Sequence, residues 1–293
     1  MNKNDFKEII ENKLSEYMQI EKPKNLFESM RYTLMLPGKR LRPIMCLETC
    51  KMFGQDYRLA LPCACAIEML HVQTLIHDDL PCMDNDDFRR GKPTNHVVFG
   101  EALATLAGDA LLTFAPQVIT KYSTGLTPAT IIRILSEYFH YAGARGVIAG
   151  QAVDIVAEED YDAIENKEEA LIYLQEHKTS DLFQLAMRSG AIIADADDDA
   201  LNGVTEFAKT FGIAFQIADD VLDEISTFEK LGKTIGKDRD AGKLTSVRLY
   251  GVEKSKLKIS CLINRCRDIM KEQDFKSEVL EQILTDIIKR VGL

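Results

Sequence analysis

The sequence has no CxxC pair, no long alternation of apolar and polar residues, and no apolar segment behind its first methionine. Each absence excludes something. Without CxxC there is neither a zinc ribbon nor a dithiol redox pair. The seven cysteines are odd in number and sit mostly in apolar helical runs, as Cys46, Cys50, Cys63 and Cys65 do, so they read as reduced core fillers. Without period-two alternation no sheet is expected, which leaves an all-α chain. The start, MNKNDFKEIIENKL, is charged and lacks the apolar stretch of a secretory signal. No unbroken run of about 18 apolar residues occurs, so membrane insertion is not expected and a cytoplasmic location is. Positive charge is short: 36 Lys and Arg against 46 Asp and Glu give a net −10, which argues against nucleic acid as a partner. Anionic substrates remain possible if cations bridge them to the protein. No shift in composition and no low-complexity linker divides the chain, so 1–293 reads as a single domain.

What is present is mostly helical periodicity. Helices are expected over about 3–20, 25–36, from Pro43 onward, 59–79, 100–121, 128–157, 167–190, 197–224, 252–272 and 276–290. Pro37-Gly38 ends the second and Pro81 the fourth. Glu158–Asp162 reads as a solvated acidic turn, and 226–243 as a Gly/Lys loop.

The chemistry concentrates in TLIHDDLPCMDNDDFRRGKPTN, Thr74–Asn95. Asp78, Asp79, Asp84, Asp86 and Asp87 crowd into one short stretch behind an apolar helix, and Arg89, Arg90 and Lys92 follow. Like charges so close need a counter-ion. Mg²⁺ fits, since it takes one or two carboxylates and completes its octahedron with water and phosphate oxygens. Guanidinium groups suit the same phosphates. Asp78 and Asp84 are six apart, a spacing a regular helix does not align. Pro81 lets the chain leave the helix and bring the last Asp back to the first.

A second acidic cluster, Asp219-Asp220-Val221-Leu222-Asp223-Glu224, repeats the design at the end of another apolar helix. Asp219 and Asp223 share a helical face. Two such helix ends facing each other would place both clusters over one cavity, as in bundle sites. Lys39, Arg40 and Arg42 form a basic patch at a helix start, where backbone N–H groups also favour anions. His71 lies seven residues before Asp78, on nearly the same face; His77, beside the Asp pair, reads as packing.

DDLPCMD is a DDxxxxD motif and ADDVLDE contains DDxxD. Together with GKRLRP, HVQTLIHDD, RRGKPTNH, GQAVD, HKT and FQIADD, in that order, they make the chain resemble trans-prenyl diphosphate synthases over nearly its whole length. The likeness is nearest to the farnesyl and geranylgeranyl diphosphate synthases of bacterial and plant type. The resemblance implies a bundle of antiparallel helices around a deep central cavity, of the isoprenoid synthase type, and a homodimer. It implies Asp78, Asp79, Asp84, Asp219 and Asp223 as ligands for three Mg²⁺. Arg89, Lys178 and Lys233 would grip the allylic diphosphate, and Lys39, Arg42, His71 and Arg90 the isopentenyl diphosphate. Lys178, Thr179 and Gln216 would act at the reacting centre, Thr179 and Gln216 by stabilising the allylic cation.

The chain departs from the family pattern at Pro37, where a Gly is usual, and after Lys243, where Leu244-Thr245-Ser246-Val247 lacks the usual aromatic. Gln73, five residues before Asp78, replaces the aromatic of many farnesyl-producing relatives. It stands about 7.5 Å along the helix from Asp78, so with Thr74 it would line the growing chain. Both farnesyl and geranylgeranyl products remain open. Competing readings are a terpene cyclase, a non-catalytic synthase subunit, and a di-iron bundle built on Glu68-x-x-His71 and Glu137-x-x-His140.

Overall fold

The computed structural model describes residues 1–225 and 242–293. Its helices are α1 (Lys3–Tyr17), α2 (Lys24–Leu34), α3 (Leu41–Met52), α4 (Leu61–Asp78), α5 (Asn95–Phe99), α6 (Glu101–Tyr122) and α7 (Pro128–Ala142). They continue with α8 (Val147–Glu159), α9 (Lys167–Leu174), α10 (Asp181–Ile193), α11 (Asp198–Ile225), α12 (Ser246–Tyr250), α13 (Val252–Glu272) and α14 (Glu278–Arg290). The only strands among the described residues are β1 (Phe88–Arg89) and β2 (Lys92–Pro93), paired antiparallel. Arg90 and Gly91 between them both have positive φ, 54° and 72°, as a two-residue hairpin turn requires. The chain is all-α, as its periodicity predicts.

Helix starts carry the expected chemistry. Asn2 and Asp5 form a capping box on α1, and Thr127 caps α7 ahead of Pro128. The long helices of the sequence reading are interrupted in two places. The stretch 128–157 breaks at Gly143–Gly146 into α7 and α8. The stretch 167–190 contains a π-helical turn, Gln175–Ser180, between α9 and α10. Periodicity cannot register one extra residue in a turn, so this feature was invisible to it.

Helix α4 is the axis of the molecule. It is apolar nearly all round, buries most of its length, and packs on α6, α3, α1 and α2. Helix α11 packs on α10, α13 and α14. One continuous core runs from Phe6 on α1 to Val291 after α14. Residues Tyr57–Asp78 and Glu101–Tyr122 are long and apolar enough to cross a membrane, although charges interrupt both sequences. In the bundle 78% of the first window is buried but only 39% of the second.

Candidate active site

The C-terminal ends of α4 and α11 meet over one cavity of about 1170 Å³, and Asp78 and Asp219 both line it. A smaller chamber of about 190 Å³ adjoins it and is lined by Asp78, Asp84, Asp154, Asp219, Asp220 and Lys243. The chain after α4 curls as Pro81 suggests: the Asp84 amide donates to the Asp78 carbonyl at 2.8 Å, and the Asp86 amide to the Asp79 carbonyl at 3.2 Å. A six-residue spacing is thereby folded into neighbouring carboxylates.

The second Asp of each pair has other work. Asp79 is 1% exposed, and the Arg89 guanidinium donates to both its oxygens at 2.6–2.9 Å. Burial pushes the Asp79 carboxyl up to about 6, with Arg89 opposing. Asp79 is thus held in a two-pronged ion pair with Arg89. Asp220 accepts from Gln216 Nε2 at 2.8 Å and from the Ser246 amide at 2.9 Å, tying α11 to α12. Asp223 is buried one turn beyond Asp219.

Cations already stand among the cavity acids. Lys178, on the π-helical turn, bonds Asp154 on α8. Lys243 lies 3.0 Å from Asp84 and 3.1 Å from Glu158. Burial raises Asp78 above the usual carboxylate range even though Lys178 opposes it. Burial also works against the charge of Asp84, but Lys178 and Lys243 outweigh it and hold that carboxyl low. Burial would lower Lys178 and Lys243, but Asp154 chiefly holds the first up and Asp84 the second. Carboxylate oxygens of Asp84, Asp154 and Glu158 lie within 4.8 Å of one another, a donor set of hard oxygens that fits a divalent cation.

The π-helical turn is seated by close packing. A Cβ on Gly150 would lie 2.2 Å from the Lys178 amide nitrogen, so α8 reaches the turn only because that position has no side chain. The turn presents Thr179, whose hydroxyl donates to Gln216 Oε1 at 2.5 Å across to α11. Lys178, Thr179 and Gln216 all line the main cavity.

The basic patch lines the same cavity. Arg42, in the first turn of α3, stacks over Phe183 at 4.4 Å and lies 3.5 Å from His71 Nε2. Burial lowers Arg42 to about 10 and holds His71 well below its ordinary value, with Arg42 adding to the second effect. His71 is therefore neutral. The Lys39 ammonium is pushed down to about 8, first by loss of solvent within the cavity and then by repulsion from Arg290. Arg90 reaches the Leu36 carbonyl from the hairpin turn. Gln73 and Thr74 line the cavity on α4 below Asp78. Lys233 lies outside the described residues.

Arg40 differs from its neighbours. It is 2% exposed, bonds Glu68 at 2.6 Å and caps the carbonyls of Leu34 and Leu36. Glu137 is likewise held by Arg188 at 2.6 and 2.7 Å, and His140 is exposed on α7. Neither Glu-x-x-His pair offers a free carboxylate to iron, so the di-iron reading falls. Sequence reasoning assigned no role to Asp154, Glu158, Lys243 or Asp220. Asp154 had a signal, its place in GQAVD. Glu158 was misread as part of a solvated turn; it is helical and paired with Lys243.

The polyprenyl synthetase family model matches residues 23–287. The chain is 42% identical over 284 residues to a geranylgeranyl diphosphate synthase of Cyanophora paradoxa, covering 97% of this chain and 94% of that one. It is 41% identical over 282 residues to a farnesyl diphosphate synthase of Geobacillus stearothermophilus, covering 96% and 94%. Its fold is similar to the crystal structure of a Helicobacter pylori geranyltransferase complexed with magnesium and isoprenyl diphosphate. That TM-score is 0.84 at 28% identity, covering 98% of this chain and 95% of the other.

Proposed function

The chain belongs to the polyprenyl synthetase family, and from that premise we propose how its residues divide the reaction. It is a short-chain trans-prenyltransferase: it joins isopentenyl diphosphate head-to-tail to an allylic diphosphate, giving farnesyl and/or geranylgeranyl diphosphate. The observation that carries the assignment of roles is the meeting of Asp78 and Asp219 over one cavity, with Lys178 and Arg89 on the same wall.

Asp78, Asp84 and Asp219, joined by Asp223, would hold magnesium, in a set of three ions when substrate is bound. Magnesium supplies Lewis-acid neutralisation of the departing diphosphate. Lys178 and Lys243 add fixed positive charge on the same side, and Arg89 and Lys233 complete the grip on the allylic diphosphate. Such charge, placed before the reaction begins, stabilises the leaving group most in the transition state. The Thr179 hydroxyl and Gln216 amide oxygen, with neighbouring carbonyls, present negative ends of dipoles to the allylic cation. Lys39, Arg42, His71 and Arg90 hold the isopentenyl diphosphate, with neutral His71 donating a hydrogen bond rather than a charge. Attack of the isopentenyl double bond on the allylic cation forms the new C–C bond and a second carbocation, which loses a proton to the released diphosphate; among the described residues no side chain is placed as a base. The apolar wall between keeps water from the cation.

Gln73 and Thr74 set the length of the product from their position below Asp78. A single domain, 1–293, in the cytoplasm suffices for this chemistry. The working state is a homodimer: exposed apolar side chains gather on α5–α8, including Val97, Val98, Leu106, Ile132 and Phe139. A second copy would cover the apolar surface that α6 leaves open; light scattering giving a monomer at micromolar concentration would refute it.

Incubation with isopentenyl diphosphate, dimethylallyl, geranyl or farnesyl diphosphate and Mg²⁺ should give elongated products. Asp78→Ala and Asp219→Ala should each lower turnover at least about 100-fold without loss of fold. Near-normal turnover in either variant contradicts the metal roles.

A further inference from the structure

Gln73 faces the cavity below Asp78, on the wall shared with Leu112 of α6. A glutamine side chain has three rotatable bonds and would be a soft obstacle if left to itself. Here it is tied down. Gln73 Nε2 lies 3.0 Å from Nδ1 of His77, one helical turn further on. The other ring nitrogen, His77 Nε2, lies 3.1 Å from the carbonyl oxygen of Thr105 on α6. A carbonyl can only accept, so Nε2 carries the proton and Nδ1 accepts from the glutamine amide. The result is a directed chain of hydrogen bonds from the α6 backbone, through the imidazole, to the side chain in the wall. Helix α6 makes room for it: a Cβ on Gly108 would stand 2.0 Å from His77 Nε2.

We infer that His77 is a positioning residue for product length. By tying Gln73 to the backbone of α6 it turns a flexible amide into a stiff rung across the seam between α4 and α6. A hydrocarbon chain growing past Gln73 must displace that rung, which breaks its bond to His77 and forfeits the net stabilisation of that hydrogen bond. The tether thereby favours release of the shorter product. His77 acts through Gln73 and does not touch the reacting atoms, because both ring nitrogens are committed to the wall. The inference rests on Gln73 lining the path of the growing chain.

The test is the ratio of longer to shorter product, measured with one primer and with isopentenyl diphosphate in excess. His77→Leu removes both ring nitrogens. Gly108→Ala keeps the histidine but drives it off the Thr105 carbonyl. Each should raise the ratio about fivefold, the scale of one lost hydrogen bond. In a Gln73→Ala background neither change should move the ratio further. An unchanged ratio in whichever single variant folds, or a shift that persists without Gln73, overturns the inference. Gln73→Tyr tests the underlying reading by itself. If it fails to shorten the product, Gln73 is not in the path. If it shortens the product while His77→Leu leaves the ratio alone, the wall stands and only the tether falls.

Discussion

The ends of α4 and α11 look alike in sequence, an Asp pair closing an apolar helix, yet they are held differently. In both, the first Asp lines the main cavity and the second is held by hydrogen bonds within the protein: Asp79 by Arg89, and Asp220, which lines the smaller chamber, by Gln216 and Ser246. At the α4 end fixed cations crowd close, with Lys243 at 3.0 Å from Asp84 and Lys178 beside Asp154. At the α11 end, among the described residues, Arg290 stands 3.4 Å from Asp219, at a more exposed position. The α4 end therefore has cations beside its carboxylates before substrate arrives.

The largest effects should separate first from second positions. Asp78→Asn and Asp219→Asn should each reduce turnover at least about 100-fold while melting stays near the parent value. Asp79→Asn should instead destabilise the fold by about 3 kcal/mol, since it removes the buried carboxylate that Arg89 pairs with. Denaturant melts with parallel assays would check this; equal loss of activity and unchanged stability in Asp79→Asn would break the comparison.

Lys243→Ala tests the balance of charge at the α4 end. With the ammonium gone, magnesium should bind the substrate-free enzyme several-fold more tightly by calorimetry, because it no longer competes with a fixed cation. Arg290→Ala, at the α11 end, should change that affinity less.

A pH profile sharpens the comparison on the isopentenyl side. Lys39 titrates at about 8, below its ordinary value. Its protonated form binds the diphosphate, so kcat/KM for isopentenyl diphosphate should fall as pH rises through about 8. Lys39→Arg should move that limb to higher pH, since guanidinium keeps its proton. For stability the sign is opposite. A lowered folded value means the charged form is disfavoured in the fold, so the contribution present above the unfolded value is lost as pH falls through about 8. The smallest effect belongs to the Asp219–Arg290 contact itself. As an exposed pair it should contribute no more than about 1 kcal/mol to stability in a double-mutant cycle.

Much of the fold was legible because apolar residues recur with the helical period along nearly all the chain. The helix ends carrying Asp78 and Asp219 could be placed within a residue or two. What escaped was local or distant in specific ways. The short α5, α12 and the hairpin have too few residues to show a period. The π-helical turn that carries Lys178 and Thr179 depends on Gly150 of α8 approaching its backbone. Arg40 and Arg42 are the same residue two positions apart, and nothing local distinguishes the one buried against Glu68 from the one stacked on Phe183 at the cavity.

By itself the sequence determined the helical class, the two acidic helix ends and the curl after Pro81, because each follows from neighbours a few residues away. Only the tertiary structure decided that Asp78 and Asp219 line the main cavity while Asp79 and Asp220 are tied to other elements. Successive residues on a helix point about 100° apart. The partners that choose between them, Arg89 and Ser246, arrive from other elements whose approach no local pattern records.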